Sequence, residues 1–368
     1  MGFLVVCLYL LDLLVHDEYY FPFKMQQITI SYAVIIEKQI ILLFLKVFNN
    51  FYYKRFVNYS STVTIKEIIW KCLMGGGLIG ILFGCSFAQN QSQFDKTSAF
   101  SFLEKQCSFG PRNPGSNGHR ACLEYFRQAF LTYTPQVELQ QFMHRDQTLN
   151  KSIKMTNVIV RFPVQKSTDS PVLLCAHWDS RPMADRDPDI KNRTKPIPAA
   201  NDGASGVAVL LEIAHCLKNN PASKSVTIVL FDGEDYGTEG HLENYCLGSK
   251  YFASQLTGKE YQYGILLDMV GDKNLSIPME AYSVQIAPDL VESVWSCARR
   301  LKIKAFQRFP GNDIYDDHRP LIEAGIPTID IIDFDYPYWH TLQDTPDKCS
   351  PESLKSVGDV LLDFIYNQ

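Results

Sequence analysis

The feature that most constrains this chain is where it puts its acids and histidines. His177-Trp178-Asp179, Asn201-Asp202, Gly233-Glu234-Asp235, Asp268 and Trp339-His340 each stand at or just after a strand-like apolar run. A fold alone has no need of carboxylates at the ends of buried strands, because each costs desolvation free energy unless it is paired, hydrogen-bonded or bound to a cation. A bound divalent ion accounts for the whole set.

The chain has 368 residues, 46% hydrophobic and 20% charged, enough for one large globular domain or two small ones. A net charge of −5 offers no basic stripe for a phosphate backbone, so nucleic acid is not expected as a partner. The first part of the chain is unlike the rest. Phe3–Val15 and Val34–Val47 are apolar runs broken by charges, without loop punctuation, and residues 1–65 are read as an over-extended or non-globular segment. Residues 66–88 then join a basic flank at Lys66 and Lys71 to a short apolar stretch, Cys72–Phe83, and to small residues. That pattern is a bacterial export signal, too short to span a bilayer comfortably. Two cleavage modes stay open: Leu82-Phe83-Gly84-Cys85 is a loose lipobox that would leave Cys85 lipid-anchored, and Ser86-Phe87-Ala88 before Gln89 suits an ordinary signal peptidase. Either places the protein in the periplasm or on the outer membrane of a bacterium. Export also permits disulfides, and a Cys107–Cys122 bridge is the one suggested by proximity.

From residue 89 onward, helix-like and strand-like runs alternate to the C-terminus, which predicts a single domain over 89–368. Helices are expected at Ser98–Cys107, Gly118–Tyr133, Ser205–Lys218, Leu247–Gln255, Leu290–Leu301, Arg319–Ala324 and Pro351–Tyr366. Strands are expected at Asn157–Phe162, Val172–His177, Ser225–Phe231, Tyr263–Val270 and Pro327–Ile332. This alternation predicts an α/β fold, a central mixed, largely parallel sheet flanked by helices. Ligands of such sheets sit beyond the carboxyl ends of the strands, where His177, Asp179, Glu234, Asp235 and Asp268 fall. Ser180–Ala200, polar and proline-bearing, is expected to loop near the pocket.

Each motif also has a plainer explanation. Asp232-Gly233-Glu234-Asp235 might be an acidic turn, yet a turn requires only one acid. Adjacent carboxylates can instead divide labour, one holding a metal while its neighbour moves a proton. Asp202 might merely cap the helix that follows, although Asn201 or Ser205 could do so equally well. His340 lies in a Tyr- and Pro-rich loop where a core histidine would be unusual, and His318 in Asp316-Asp317-His318 has the weaker claim. The glycines at 75–80 fit a dinucleotide fingerprint but follow no strand. Asp185, Asp187 and Asp189 have calcium-loop spacing without the glycine and glutamate such a loop requires.

Taken together, His177-Trp178-Asp179-Ser180, Asn201-Asp202-Gly203, Gly233-Glu234-Asp235, Leu267-Asp268 and Trp339-His340-Thr341 resemble the M28 metallopeptidase superfamily. Within it they resemble the zinc-dependent glutaminyl-peptide cyclotransferases of bacteroidete bacteria and animals, from about Phe100 to the C-terminus. The resemblance implies a zinc-exopeptidase-like domain with one zinc on Asp202, Asp235 and His340. It implies Glu234 as general base and acid, Asp268 and Asp316 as paired hydrogen-bonding acids, and Trp339 as a wall of the substrate pocket. The implied partner is a peptide or protein N-terminus bearing glutamine, processed by a monomer. One departure is visible: the animal enzymes have Glu-Glu where this chain has Glu234-Asp235. A side chain one methylene shorter must bring the metal nearer the strand or shift the backbone.

Two other functions fit less well. A two-zinc aminopeptidase of the same superfamily would use His177 and Asp268 as additional ligands, and both are present. The Asp316-Asp317-His318 segment, and Arg181-Pro182 after the His177 block, favour the cyclase. An inactive binding ectodomain would be expected to have lost the base or a ligand, whereas Glu234, Asp202 and His340 all remain.

Overall fold

The computed structural model describes residues 94–146, 150–164, 170–258 and 260–367. The expectations for residues 1–65 and 66–88, including the glycine run and Cys85, lie outside them.

Four apolar runs build the centre: β3 (Val172–His177), β4 (Val226–Phe231), β5 (Gly264–Asp268) and β8 (Thr328–Ile332), every residue of them buried. Unbroken burial means helices on both faces, the condition under which parallel strands are stable. Leu174 and Ala176 of β3 pack with the first face, built on α1 (Lys96–Cys107), α3 (Ala204–Asn219), α6 (Pro288–Leu301) and α8 (Pro351–Asn367). Leu173 and Cys175 point the other way, toward Phe252 of α4 (Leu247–Ser254) and Leu321 of α7 (His318–Glu323). Each such buried aliphatic side chain contributes about 1.5–3 kcal/mol.

The sheet is six-stranded, in the order β1-β2-β4-β3-β5-β8. The last four strands are parallel, with His177 beside Phe231 and Asp268 beside Ile332, so their carboxyl ends form one edge. At the other side, β1 (Val137–Asp146) and β2 (Lys151–Phe162) form an antiparallel pair. β1 was not expected from the sequence, because an edge strand burying only Phe142 shows no clean alternation of apolar residues. Also unforeseen were the first half of β2, the short parallel pair β6 (Ile277–Met279) and β7 (Phe306–Pro310), and the six-residue helix α5 (Ala281–Ile286). The helix over Gly118–Tyr133 is observed as α2, Asn117–Leu131. The expected strand Tyr263–Val270 closes early, at Asp268, where Met269 turns with φ +45°.

The Cys107–Cys122 bridge does not form, and both thiols are free. Burial pushes the two thiols up to about 11 and about 12, the behaviour of small apolar side chains. Among the described residues no helix is long and apolar enough to cross a membrane.

Helix α3 approaches the sheet so closely that Gly206 has no room for a side chain. A Cβ there would lie 2.5 Å from the Leu267 carbonyl oxygen and 3.0 Å from the Ala176 Cβ. Gly206→Ala is therefore expected to destabilise the protein by about 2 kcal/mol through overpacking, as a denaturant-midpoint shift would show; an unchanged midpoint would contradict the close approach.

Candidate metal centre and active site

The connection from β3 through α3 returns to β4 on one side, while β5 leads on to β8 on the other. The chain thus diverges between β3 and β5, and a crevice opens beyond their carboxyl ends. A pocket of about 300 Å³ lies there, lined by Asp202, Glu234, Asp235, Asp268, Asp316, Trp339 and His340. All the site residues expected from the sequence therefore border one space. His177 stands behind Asp202 and Asp268, 1% exposed, its Nε2 3.1 and 3.2 Å from their Oδ1 atoms.

Asp202 is presented by the turn into α3. Gly203 takes φ +95°, and a Cβ there would strike the Asp179 carbonyl oxygen at 2.8 Å and the His177 ring at 2.9 Å. Asp202 does not cap the helix, since no side chain bonds to its first turn. Asn201 and Ser205 serve elsewhere, accepting from the backbone N–H groups of Gly271 and Val270. The turn is fixed by buried Asp344, which accepts from the N–H groups of Asn201 (2.8 Å) and Asp202 (3.1 Å) and from the Tyr336 hydroxyl. Buried Asp179 does the same for the next motif, accepting from the N–H groups of Glu234 (3.1 Å) and Asp235 (3.4 Å). His340 sits at φ +57°, stacked on Trp339 with ring centroids 3.8 Å apart. Strain of that kind persists where surrounding structure holds it.

Asp202, Asp235 and His340 bring one ligand atom each within 4.8 Å of one another. The His340 Nε2 lies 3.3 Å from Asp235 Oδ1 and 3.7 Å from Asp202 Oδ2. Buried Asp202 Oδ2 and Asp235 Oδ2 have no hydrogen-bond partner. Asp202 Oδ2, which faces the imidazole nitrogen, and the other orphaned oxygen, Asp235 Oδ2, fit a divalent cation, and the nitrogen and oxygen donors suit zinc. His177, Asp202 and Asp268 form a second group of the same size, sharing Asp202.

The electrostatics follow from crowding. Burial, then Asp235 and Asp316, push Glu234 well above the ordinary carboxylate value. Burial, then Asp268 and Asp317, do the same to Asp316. Burial opposes charge on His177, yet Asp179, Asp202 and Asp268 raise it well above the usual histidine value. Burial also opposes charge on His340, but Asp235, Asp185 and Asp202 lift it to about 9. His318 lies outside the pocket, 3.7 Å from Glu280 and 3.8 Å from Asp330, and burial lowers it to about 4.

The supporting residues were the harder ones to foresee. Asp179 lay inside a recognised motif without a role, whereas Asp185 and Asp344 had no signal beyond being acids near site motifs. Cys246 places its sulfur 3.7 Å from Glu234 Oε1. Asp232 belongs to the acidic turn in sequence only: it points away from the pocket, 2.9 Å from His119 Nε2 and 2.6 Å from the Thr156 N–H.

An open, largely parallel sheet with acids and a histidine converging at its switch point defines the zinc-exopeptidase class of fold. Residues 157–365 match the model of peptidase family M28. The chain belongs to that family. Among solved structures it is similar to the glutaminyl cyclase of Bacteroides thetaiotaomicron bound to N-acetylhistamine, at 37% identity and a TM-score of 0.71, over 75% of this chain and 99% of that one. It is equally similar to a Zn-dependent exopeptidase from Parabacteroides distasonis, at 37% identity and a TM-score of 0.71, over the same shares. A curated relative, aminopeptidase YwaD of Bacillus subtilis, is 28% identical over 207 residues, which are 53% of this chain. The chain spans 40% of that relative's length.

The His119–Asp232 pair anchors the strand end that carries Glu234. His119→Phe would leave a buried carboxylate without its imidazole and is expected to cost about 3 kcal/mol, with part regained in His119→Phe/Asp232→Asn. Guanidinium unfolding midpoints would measure both variants.

Proposed function

We propose that the protein is a zinc-dependent glutaminyl-peptide cyclotransferase, converting the N-terminal glutamine of peptides to pyroglutamate with release of ammonia. The observation that carries this reading is the position of Glu234. It borders the pocket beside the Asp202, Asp235 and His340 donors, with an Asp316 oxygen within 4.8 Å of its own ligand atom. The likeness to the Bacteroides cyclase, which spans 99% of that chain, supports the same choice.

A zinc ion held by Asp202, Asp235 and His340 would polarise the side-chain amide carbonyl of the glutamine. Glu234 takes a proton from the substrate's α-amine and delivers it to the departing amide nitrogen, which leaves as ammonia. The amine nitrogen bonds to the side-chain carbonyl carbon as the carbon–nitrogen bond to the amide breaks, closing the five-membered lactam. Both reacting groups belong to one residue, so the pocket's main task is to select the folded conformer. Asp268 and Asp316 hold the amine, and Trp339, packed on His340, walls the substrate side chain. A pocket of about 300 Å³ is enough for one residue and the start of the next. Export through residues 66–88, with or without a lipid on Cys85, would put a monomer of residues 89–368 where peptide N-termini are accessible.

One observation favours a second reading. His177, Asp202 and Asp268 could take a further cation, as a two-zinc aminopeptidase requires. Incubation with a Gln-initiated dipeptide and with leucine amide separates the two. The cyclase yields lactam and ammonia with one zinc per chain; free leucine with two zincs would replace it by the aminopeptidase. Glu234→Gln is expected to lower turnover by at least about a hundredfold while zinc stays bound, and loss of zinc with activity would remove Glu234 from proton transfer.

A further inference from the structure

Arg181 is 1% exposed, in the loop after β3. A guanidinium buried that deeply must find acceptors for its donors, and here it takes them from two different parts of the site. Its Nε and Nη2 grip Asp185 in a fork, at 2.8 and 2.7 Å. Its Nη1 donates to Asp235 Oδ1 at 2.7 Å and to the main-chain oxygen of the same residue at 3.3 Å. Nη2 also reaches the Tyr245 hydroxyl at 3.1 Å.

One arm ends on a residue of the donor set, and the other reaches one through Asp185. Because one nitrogen bonds both the carboxylate and the backbone oxygen of Asp235, the short side chain is fixed relative to its own main chain. Oδ1 is occupied by that bond, which leaves Oδ2 as the oxygen without a partner. The second arm is indirect: Asp185 Oδ1 lies 3.4 Å from His340 Nδ1. With a carboxylate beside Nδ1, Nε2 is the ring nitrogen that faces Asp202 and Asp235, the outer-shell arrangement that orients metal-bound histidines.

We propose that Arg181 is a positioning residue for the metal centre, setting Asp235 directly and His340 through Asp185. The inference rests on the zinc reading of Asp202, Asp235 and His340. Removing the guanidinium has two opposed effects. It takes a positive charge from beside the cation, which favours binding, and it frees two carboxylates from their only fork, which disfavours it. Geometry prevails, because zinc requires deprotonated donors in a tetrahedral arrangement. A lysine does not substitute, since an ammonium lacks the planar fork that spans Asp185 and Asp235 together.

The test is zinc affinity, measured by chelator competition on the folded protein and on Arg181→Met, Arg181→Lys and Asp185→Asn, with the metal-free melting temperature as a check on folding. Both Arg181 variants are expected to weaken zinc binding by about 10–100-fold, and Asp185→Asn by about tenfold as only the His340 arm is cut. Affinity within twofold of the parent in a folded Arg181→Met would overturn the proposal. Should that variant not fold, undiminished affinity in Asp185→Asn and Arg181→Lys would do so. Failure of the zinc reading looks different: the parent takes up no zinc, or Asp202→Asn binds it as tightly as the parent.

Discussion

Negative charge that cannot reach water governs this structure. Asp179, Asp202, Asp232, Asp235, Asp268, Asp316, Asp317, Asp330 and Asp344 are all buried, most of them near the carboxyl edge of one sheet. Two carboxylates about 4 Å apart repel by about 4 kcal/mol at the effective dielectric of a protein site, so the cluster persists only if each charge is answered. Asp179 and Asp344 are answered by main-chain N–H groups. Asp232 has His119 and the Thr156 N–H. Glu234, Asp316 and Asp330 are pushed well above the ordinary carboxylate value by burial first and then by neighbouring acids. Asp202 and Asp235 each keep a buried oxygen with no answer, and a cation is what remains to supply one.

This division separates the roles of groups that look alike in sequence. Asp232, Glu234 and Asp235 fall within four consecutive positions, yet a strand end that rotates into a turn sends them to three environments. The first is locked into the core. The second borders the pocket with a raised proton affinity, and the third lies against Arg181, 2.7 Å away. Glu234 and Asp235 stay in separate surroundings because the backbone between them is held by Asp179, which accepts from both residues' N–H groups.

Much of this was legible in the sequence because burial and chemistry leave different marks. The parallel strands appear as unbroken apolar runs, and the acids following them violate that pattern, so β3, β4, β5 and the site residues Asp202, Glu234, Asp235 and His340 can be located from residue order. The edge strand β1 could not, as only Phe142 among its residues is buried. Asp344 and Asp185 were equally hidden: an acid accepting two backbone N–H groups reads in sequence like any surface acid. Arg181 was visible only as part of a motif. Its partners come from Asp185, four residues on, and from Asp235 and Tyr245 beyond β4, a convergence that only the fold reveals. The suggested Cys107–Cys122 pairing failed for a related reason, since nearness in sequence says little about two thiols buried on α1 and α2.

Two nitrogen-bearing side chains answer part of the site's negative charge from opposite sides. Arg181 stands on the Asp235 side, and His177 stands on the other between Asp202 Oδ1 and Asp268 Oδ1. His177 belongs to the second donor group, and the carboxylates around it favour a proton on its ring. To ligate a metal it would have to release that proton against three carboxylates, since Asp179 Oδ1 also faces it, at 3.5 Å from Nδ1. A second ion would have to make that release favourable. The Asp202, Asp235 and His340 set faces a similar demand, since its carboxylates lift His340 to about 9, but it offers two orphaned carboxylate oxygens in return. The asymmetry between the neighbouring donor groups therefore lies in their carboxylate oxygens: Asp202 Oδ2 and Asp235 Oδ2 have no partner, whereas Asp202 Oδ1 and Asp268 Oδ1 already face His177.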